Sequence, residues 1–377
     1  MKINLRFTKS DYCLKKLSLY FFIFTAFGCA KKITDRNFPH REIIPSANTH
    51  NLTIYNNRTP AEVLYLGCGH LAIRFHNEIT LIDPFFSTSG FTDRQVGSNA
   101  VAFEKYKTIL ATHRMDLSET KSVWIAHTHY DHMMDLPLLL RKNVLPKEAV
   151  IHGNAFGDDI LKNFISVGQY HSLEASEVYD PEKPDNKGTW FNTSSSIRVM
   201  PIRSDHAPHY KVLGIPFHLM KGDLKPDYFG STLKEEYDKT KRSCWREGTT
   251  YSFLVDFMEK DSIIFRFFIQ TSGSHFPLGK PPEDLLKDRP VDVAFLCAAS
   301  ANFVKPYPVD ILNTLKPKRT VFIHWEDFFR EPLDFDGARF VRLSNFRKLN
   351  RRLKRNGYEL NKENYVMPRP GTLISVR

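Results

Sequence analysis

A short, mostly apolar run, Ser122-Val123-Trp124-Ile125-Ala126, delivers the chain into His127-Thr128-His129-Tyr130-Asp131-His132. Three imidazoles and a carboxylate within six residues are too many ligand-type groups for an ordinary core. Residues i and i+2 at the end of a strand project to the same side. His127 and His129 can therefore hold one metal ion together. Asp131 and His132 sit where the chain turns towards a helix, within reach of a second ion. Nitrogen ligands with one carboxylate suit zinc ahead of iron or manganese.

The HxHxDH string resembles the signature of the metallo-β-lactamase superfamily, and the similarity extends beyond it. Leu66-Gly67-Cys68-Gly69-His70-Leu71 and Ile79-Thr80-Leu81-Ile82-Asp83-Pro84-Phe85-Phe86-Ser87 look like the family's opening hairpin and its DP motif. Pro201-Ile202-Arg203-Ser204-Asp205-His206 and Val321-Phe322-Ile323-His324-Trp325 fit the strands that deliver the remaining histidines. In flavour the chain is most similar to the branch containing phospholipase-D-like and sugar-phosphate lactonase members. The resemblance implies an α/β fold, a four-layer αββα sandwich with its metals at one edge. It assigns His127, His129 and His206 to the first metal and Asp131, His132 and His324 to the second. One or two zinc ions are implied, each with an open position for water. Asp131 would both ligate and orient the resulting hydroxide, and Asp83 would fix a ligand or loop by hydrogen bonds. One departure matters. Most hydrolases of the superfamily place a bridging aspartate where this chain has Ile269-Gln270-Thr271-Ser272-Gly273-Ser274-His275, which offers no carboxylate. A ligand set of five histidines and one aspartate matches one subclass of true metallo-β-lactamases instead.

The N-terminus reads as a targeting segment. Lys2, Arg6, Lys9, Lys15 and Lys16 precede a short apolar stretch from Leu17 to Phe27. Eleven residues are too few to span a bilayer, so residues 1–28 read as a secretory signal. Ala26-Phe27-Gly28-Cys29-Ala30 resembles a loose bacterial lipobox with Cys29 as the lipidated residue. Residues 29–50 read as a tether, and 51–377 as the catalytic domain. Without residues 1–28 the net charge falls from +11 to about +7. Cys68, Cys244 and Cys297 then remain, too sparse and odd a set for a disulfide framework.

Strand-like runs are expected at 52–55, 63–67, 71–75, 79–82, 122–126, 197–203, 251–257, 263–269, 291–296 and 320–323. A helix is expected from Asp131 to Arg141, complicated by Pro137. The stretch of about 209–248 lacks a clear period and reads as a lid-like insertion. Leu343, Phe346, Leu349 and Leu353 form one apolar stripe on a helix whose other face carries Arg342, Arg347, Lys348, Arg351, Arg352, Lys354 and Arg355. Glu326 and Asp327 read as a charged turn, and His70, His76, His152, His209 and His275 as bystanders.

These features converge on an exported, membrane-anchored lipoprotein hydrolase that uses a zinc-bound hydroxide on an ester-type bond, whether phosphoester, lactone or carboxylic ester. The expected partners are a small-molecule or lipid-like substrate and a membrane reached through Cys29, with no nucleic acid. Two alternatives stand beside it: a β-lactam or amide hydrolase, and a catalytically degenerate metal-binding surface protein.

Overall fold

The computed structural model describes residues 48–377 except 56–57, 184, 213–214, 218–219, 221–232, 331–338, 343 and 362. The expected signal segment, the lipidation residue Cys29 and nearly all of the expected tether lie outside the described residues. So do the middle of the 209–248 insertion and Leu343.

Two mixed sheets form the centre. The first contains β1 (His50–Leu52), β2 (Ala61–Gly67), β3 (His70–Phe75), β4 (Glu78–Ile82), β5 (Thr120–Trp124), β6 (Val150–Gly153), β7 (Tyr170–Ser172) and the C-terminal β15 (Thr372–Val376). Their order is β1-β15-β2-β3-β4-β5-β6-β7. The second contains β8 (Phe191–Asn192), β9 (Ile197–Arg203), β10 (Tyr251–Glu259), β11 (Ser262–Gln270), β12 (Val293–Cys297), β13 (Arg319–Ile323) and β14 (Tyr365–Val366). These run in the order β14-β13-β12-β11-β10-β9-β8. Each sheet passes from antiparallel hairpins to parallel strands, at β4–β5 in one and β11–β12 in the other. His50, the last residue of the expected tether, already pairs with Ile374 of β15.

Side-chain alternation creates the layers. Val63 and Tyr65 of β2, Phe253 and Val255 of β10, Phe265 and Phe267 of β11, and Phe295 of β12 share the cluster between the sheets. Their neighbours face outward. Leu64 and Leu66 join one outer cluster with Phe103, Tyr106 and Leu139. Leu254, Phe268 and Leu296 join another with Leu312, Leu349 and Leu353. Three apolar cores separate four layers, so the architecture is the αββα sandwich.

Helices cover both outer faces. α1 (Ala100–Thr112) starts at Asn99, whose side chain accepts from Val101 N and Ala102 N at 2.8 and 3.1 Å. The expected helix over 131–141 is two pieces, α2 (Tyr130–Met133) and α3 (Leu136–Arg141). Pro137 explains the break: in the first turn of α3 its missing N–H costs nothing. Asp135 fills the gap and accepts from Phe86 N and Ser87 N, both at 2.7 Å. α4 (Phe346–Arg355) is the basic helix near the C-terminus; it buries Phe346, Leu349 and Leu353 while Arg347, Lys348, Arg351, Lys354 and Arg355 stay exposed. Each buried side chain contributes about 1.5–3 kcal/mol of transfer free energy. Cys68, Cys244 and Cys297 are free thiols, all buried.

Candidate metal centre

The turns after β2, β4, β5, β9 and β13 carry Cys68, Asp83, His127 to His132, His206 and His324. His127, His129 and His206 each place a ligand atom within 4.8 Å of the other two. Cys68, Asp131 and His324 do the same beside them. His132 belongs to neither group. Its ring lies 3.9 Å from that of His127, and its Nε2 is 3.6 Å from Asp131 Oδ2. Its Nδ1 meets Asp83 Oδ2 at 2.7 Å. Asp83 Oδ1 also accepts the Ala126 amide at 2.7 Å, tying His132 to the strand end that precedes His127.

Burial and hydrogen bonding test whether these residues fit a cation. His127 is fully buried, yet neither of its ring nitrogens has a hydrogen-bond partner. Nε2 of His129, Nδ1 of His206 and Nδ1 of His324 are buried and unpartnered as well. An unsatisfied buried polar atom costs about 1–3 kcal/mol, so five together need a compensating ligand. Charge state points the same way. Burial, with the neighbouring imidazoles, holds His127 and His206 well below the ordinary histidine range and His129 at about 3. All three are neutral near pH 7, with lone pairs available. Burial opposes charge on Asp131, but His132 and His324 outweigh it and keep its carboxyl far below the usual range. Three neutral imidazoles beside a thiol, a carboxylate and a further imidazole suit a divalent transition metal.

The second group is braced by a residue read from sequence as part of a charged turn. Glu326 and Asp327 are instead 2% and 3% exposed. The chain crosses beneath the sandwich edge there, pairing Glu326 with Phe340. The Glu326 carboxylate accepts from the Cys68 amide and from Tyr65 OH, the latter at 2.5 Å. Tyr65 OH in turn accepts the His324 amide at 2.9 Å. Cys68, Asp83 and His324 all have left-handed backbones, with φ of 49°, 45° and 52°. That region disfavours side-chain-bearing residues and concentrates at functional sites. Gly69 must remain small, because a Cβ there would sit 2.6 Å from Asp83 Oδ2 and 2.9 Å from Thr271.

A cavity of about 270 Å³ opens onto His129, Asp131, His206 and His324. Phe91, Tyr130, Phe303, Phe328 and Phe329 make its wall apolar. Arg242 and Arg342 line it too, their guanidinium carbons 5.2 Å over Tyr130 and 4.5 Å over Phe91. Arg342, assigned from sequence to the basic helix, precedes that helix and faces the cavity. Thr271 and Ser272, from the carboxylate-free stretch that follows β11, also line the cavity. From the 209–248 stretch, His209 and Arg242 reach the wall, while Trp245 packs into the outer core. His209, read from sequence as a bystander, stands instead at the site, its ring 4.9 Å from that of His206 and 5.2 Å from that of His129. His275 is exposed and pairs with Asp205 at 2.7 Å.

No protein-family model matches the chain, and no curated protein does. Solved structures resemble it distantly. Igni18, a metallo hydrolase from Ignicoccus hospitalis, aligns at 11% identity and a TM-score of 0.45, covering 84% of this chain and 98% of its own. YhfI from Bacillus subtilis, a metallo-β-lactamase fold protein, gives 10% and 0.45, with 83% and 99% covered. CmlA, a diiron β-hydroxylase from Streptomyces venezuelae, gives 15% and 0.45, with 85% of this chain and 55% of its own. Likeness at this level assigns neither family nor activity, so the chemistry rests on the residues themselves.

Proposed function

We propose that the chain is a metal-dependent hydrolase of an ester-type bond, with His127, His129 and His206 holding one cation and Asp131, His324 and the Nε2 of His132, 3.6 Å from Asp131 Oδ2, contributing to a second. The observation that carries this reading is the set of buried, unpartnered imidazole nitrogens on His127, His129, His206 and His324, the last three of which line an apolar cavity. A divalent cation at such a site acidifies water for attack near neutral pH and steadies charge on a departing oxygen. The chain supplies the rest. Asp131, ionised and 3.4 Å from His324 Nε2, is placed to orient the attacking water. The aromatic wall takes an apolar substituent and excludes bulk water. Arg242 and Arg342 favour a substrate that also bears a negative charge. Zinc is the metal best matched to this donor set.

The basic start, the apolar stretch from Leu17 to Phe27 and Cys29 support export with lipid anchoring. A small or lipid-like ester at a membrane surface is consistent with the cavity. The missing carboxylate between Gln270 and His275 keeps β-lactam hydrolysis as a second reading.

The test is zinc-reconstituted protein assayed on p-nitrophenyl butyrate, bis(p-nitrophenyl) phosphate, a simple lactone and nitrocefin. Turnover of an ester, lost in His127→Ala and Asp131→Ala with circular dichroism unchanged, is the expected result. Undiminished turnover in both variants would reject the assignment. Turnover of nitrocefin alone would replace the ester reading with the β-lactam one. Metal binding without turnover of any substrate would favour a surface protein that has lost catalysis.

A further inference from the structure

We infer that Cys68 is a metal ligand, the sulfur donor of the second ion, with Asp131 and His324. The inference rests on the metal-centre reading above and adds a donor that the sequence motif does not contain. Three observations carry it. Cys68, Asp131 and His324 converge within 4.8 Å, so one cation can touch all three. Cys68 is fully buried beside the Glu326 carboxylate, and His324 is 6% exposed, with its Nε2 3.4 Å from Asp131 Oδ2 and its Nδ1 unpartnered. The backbone of both outer ligands is also held in place by one carboxylate. Glu326 accepts the Cys68 amide directly and reaches the His324 amide through Tyr65 OH.

The turn geometry gives the arrangement its reason. Cys68 stands in the tight connection between β2 and β3 with φ of 49°. Glycine would adopt that conformation without strain, and Gly67 and Gly69 flank it. A cysteine kept there spends conformational energy to point a thiol into the centre. Coordination is balanced simply: the S–H bond breaks, the sulfur pair binds the cation, and one proton leaves to solvent. A thiolate makes the second site softer than the first, favouring zinc and cobalt over magnesium or manganese. It also gives the site a donor open to oxidation, which an all-imidazole centre lacks. Glu326 acts as a positioning residue, through the backbone of the ligands rather than through the ion.

Cobalt(II) substitution of the full chain tests this without reference to activity. The wild type should bind two equivalents and show an intense thiolate-to-cobalt charge-transfer band in the near ultraviolet. Cys68→Ser should lose that band and weaken the second equivalent by more than about a hundredfold, beyond the 10–100-fold typical of supporting residues. Cys244→Ser and Cys297→Ser should keep both. Glu326→Gln should shift the band and weaken the second equivalent while leaving the first unchanged. A wild type that takes up cobalt with no such band overturns the role of Cys68 and leaves the hydrolase reading standing. A wild type that takes up no metal overturns both. The wild-type spectrum decides the matter even if Cys68→Ser fails to fold.

Discussion

Two buried polar clusters lie in this sandwich, and they are built on opposite plans. In the second sheet Arg266 and Asp256 are both fully buried, and every guanidinium nitrogen is used. Arg266 Nε and Nη2 reach the Asp256 carboxylate at 2.6 and 2.9 Å, and Nη1 reaches Arg289 O at 2.8 Å. Arg198 adds a further bond to Asp256 at 2.8 Å. At the sandwich edge His127, His129 and His324 are also buried and His206 is half-buried, but together they leave five buried ring nitrogens unpaired. A satisfied cluster is complete and holds the fold together. An unsatisfied one of metal-binding type retains its donors for something else. Burial alone would not have told the two apart.

Breaking the complete cluster should cost the most. Arg266→Ala strands Asp256 without its principal partner inside the sheet, and removing one member of a buried pair typically costs 3–5 kcal/mol. The urea midpoint of the metal-free variant measures this. A loss under about 1 kcal/mol would mean that water reaches Asp256, and that the contrast between the clusters is overstated.

The edge cluster should instead respond through metal. Asp83→Asn keeps an oxygen to accept the Ala126 amide but turns an amide donor towards His132 Nδ1. The proton of that ring must then move to Nε2, the nitrogen 3.6 Å from Asp131. Outer partners of this type are worth about 10–100-fold in metal affinity, or 1.4–2.7 kcal/mol. Zinc titration should show that loss, while the metal-free proteins melt within a few degrees of each other. Equal zinc affinity in wild type and variant would remove Asp83 from the machinery.

How far the sequence foresaw this contrast depends on locality. His127 to His132 were legible because six consecutive residues carry their own geometry, a strand end turning into a helix. The strands were legible because 251–257 and 263–269 are short, mostly apolar runs of strand length, and both faces of each prove to be buried. Asp83 and the distant histidines His206 and His324 came from motif order. Cys68 and Glu326 were invisible in that role. Their relation depends on a left-handed turn and on two sheets that bring positions 258 residues apart into contact. The split at Pro137 was half-legible: the proline announced a problem, but only Asp135 bonding to Phe86 and Ser87 shows where the chain breaks. Arg342 was misplaced because charge alone put it on the basic helix.

A third buried imidazole tests the comparison more gently. His152 stacks on Trp124 with ring centroids 4.0 Å apart and 7° between planes, and its Nδ1 is unpartnered. His171 and Phe191 are its other ring neighbours. It resembles the edge histidines in burial, but among the described residues no group of donors converges on it. Burial, then the nearby His171, lowers its pKa to about 3. The unfolded chain therefore binds this proton more readily than the folded one between about pH 6.5 and 3. Stability from this residue is full above that window and is lost as pH falls through it, about 2 kcal/mol by pH 5. His152→Phe keeps the stacking and removes the titration, so its stability should fall less steeply than wild type between pH 7 and 5, with or without zinc. If zinc flattens the wild-type slope but the substitution does not, His152 carries none of the acid sensitivity and the edge histidines carry it instead.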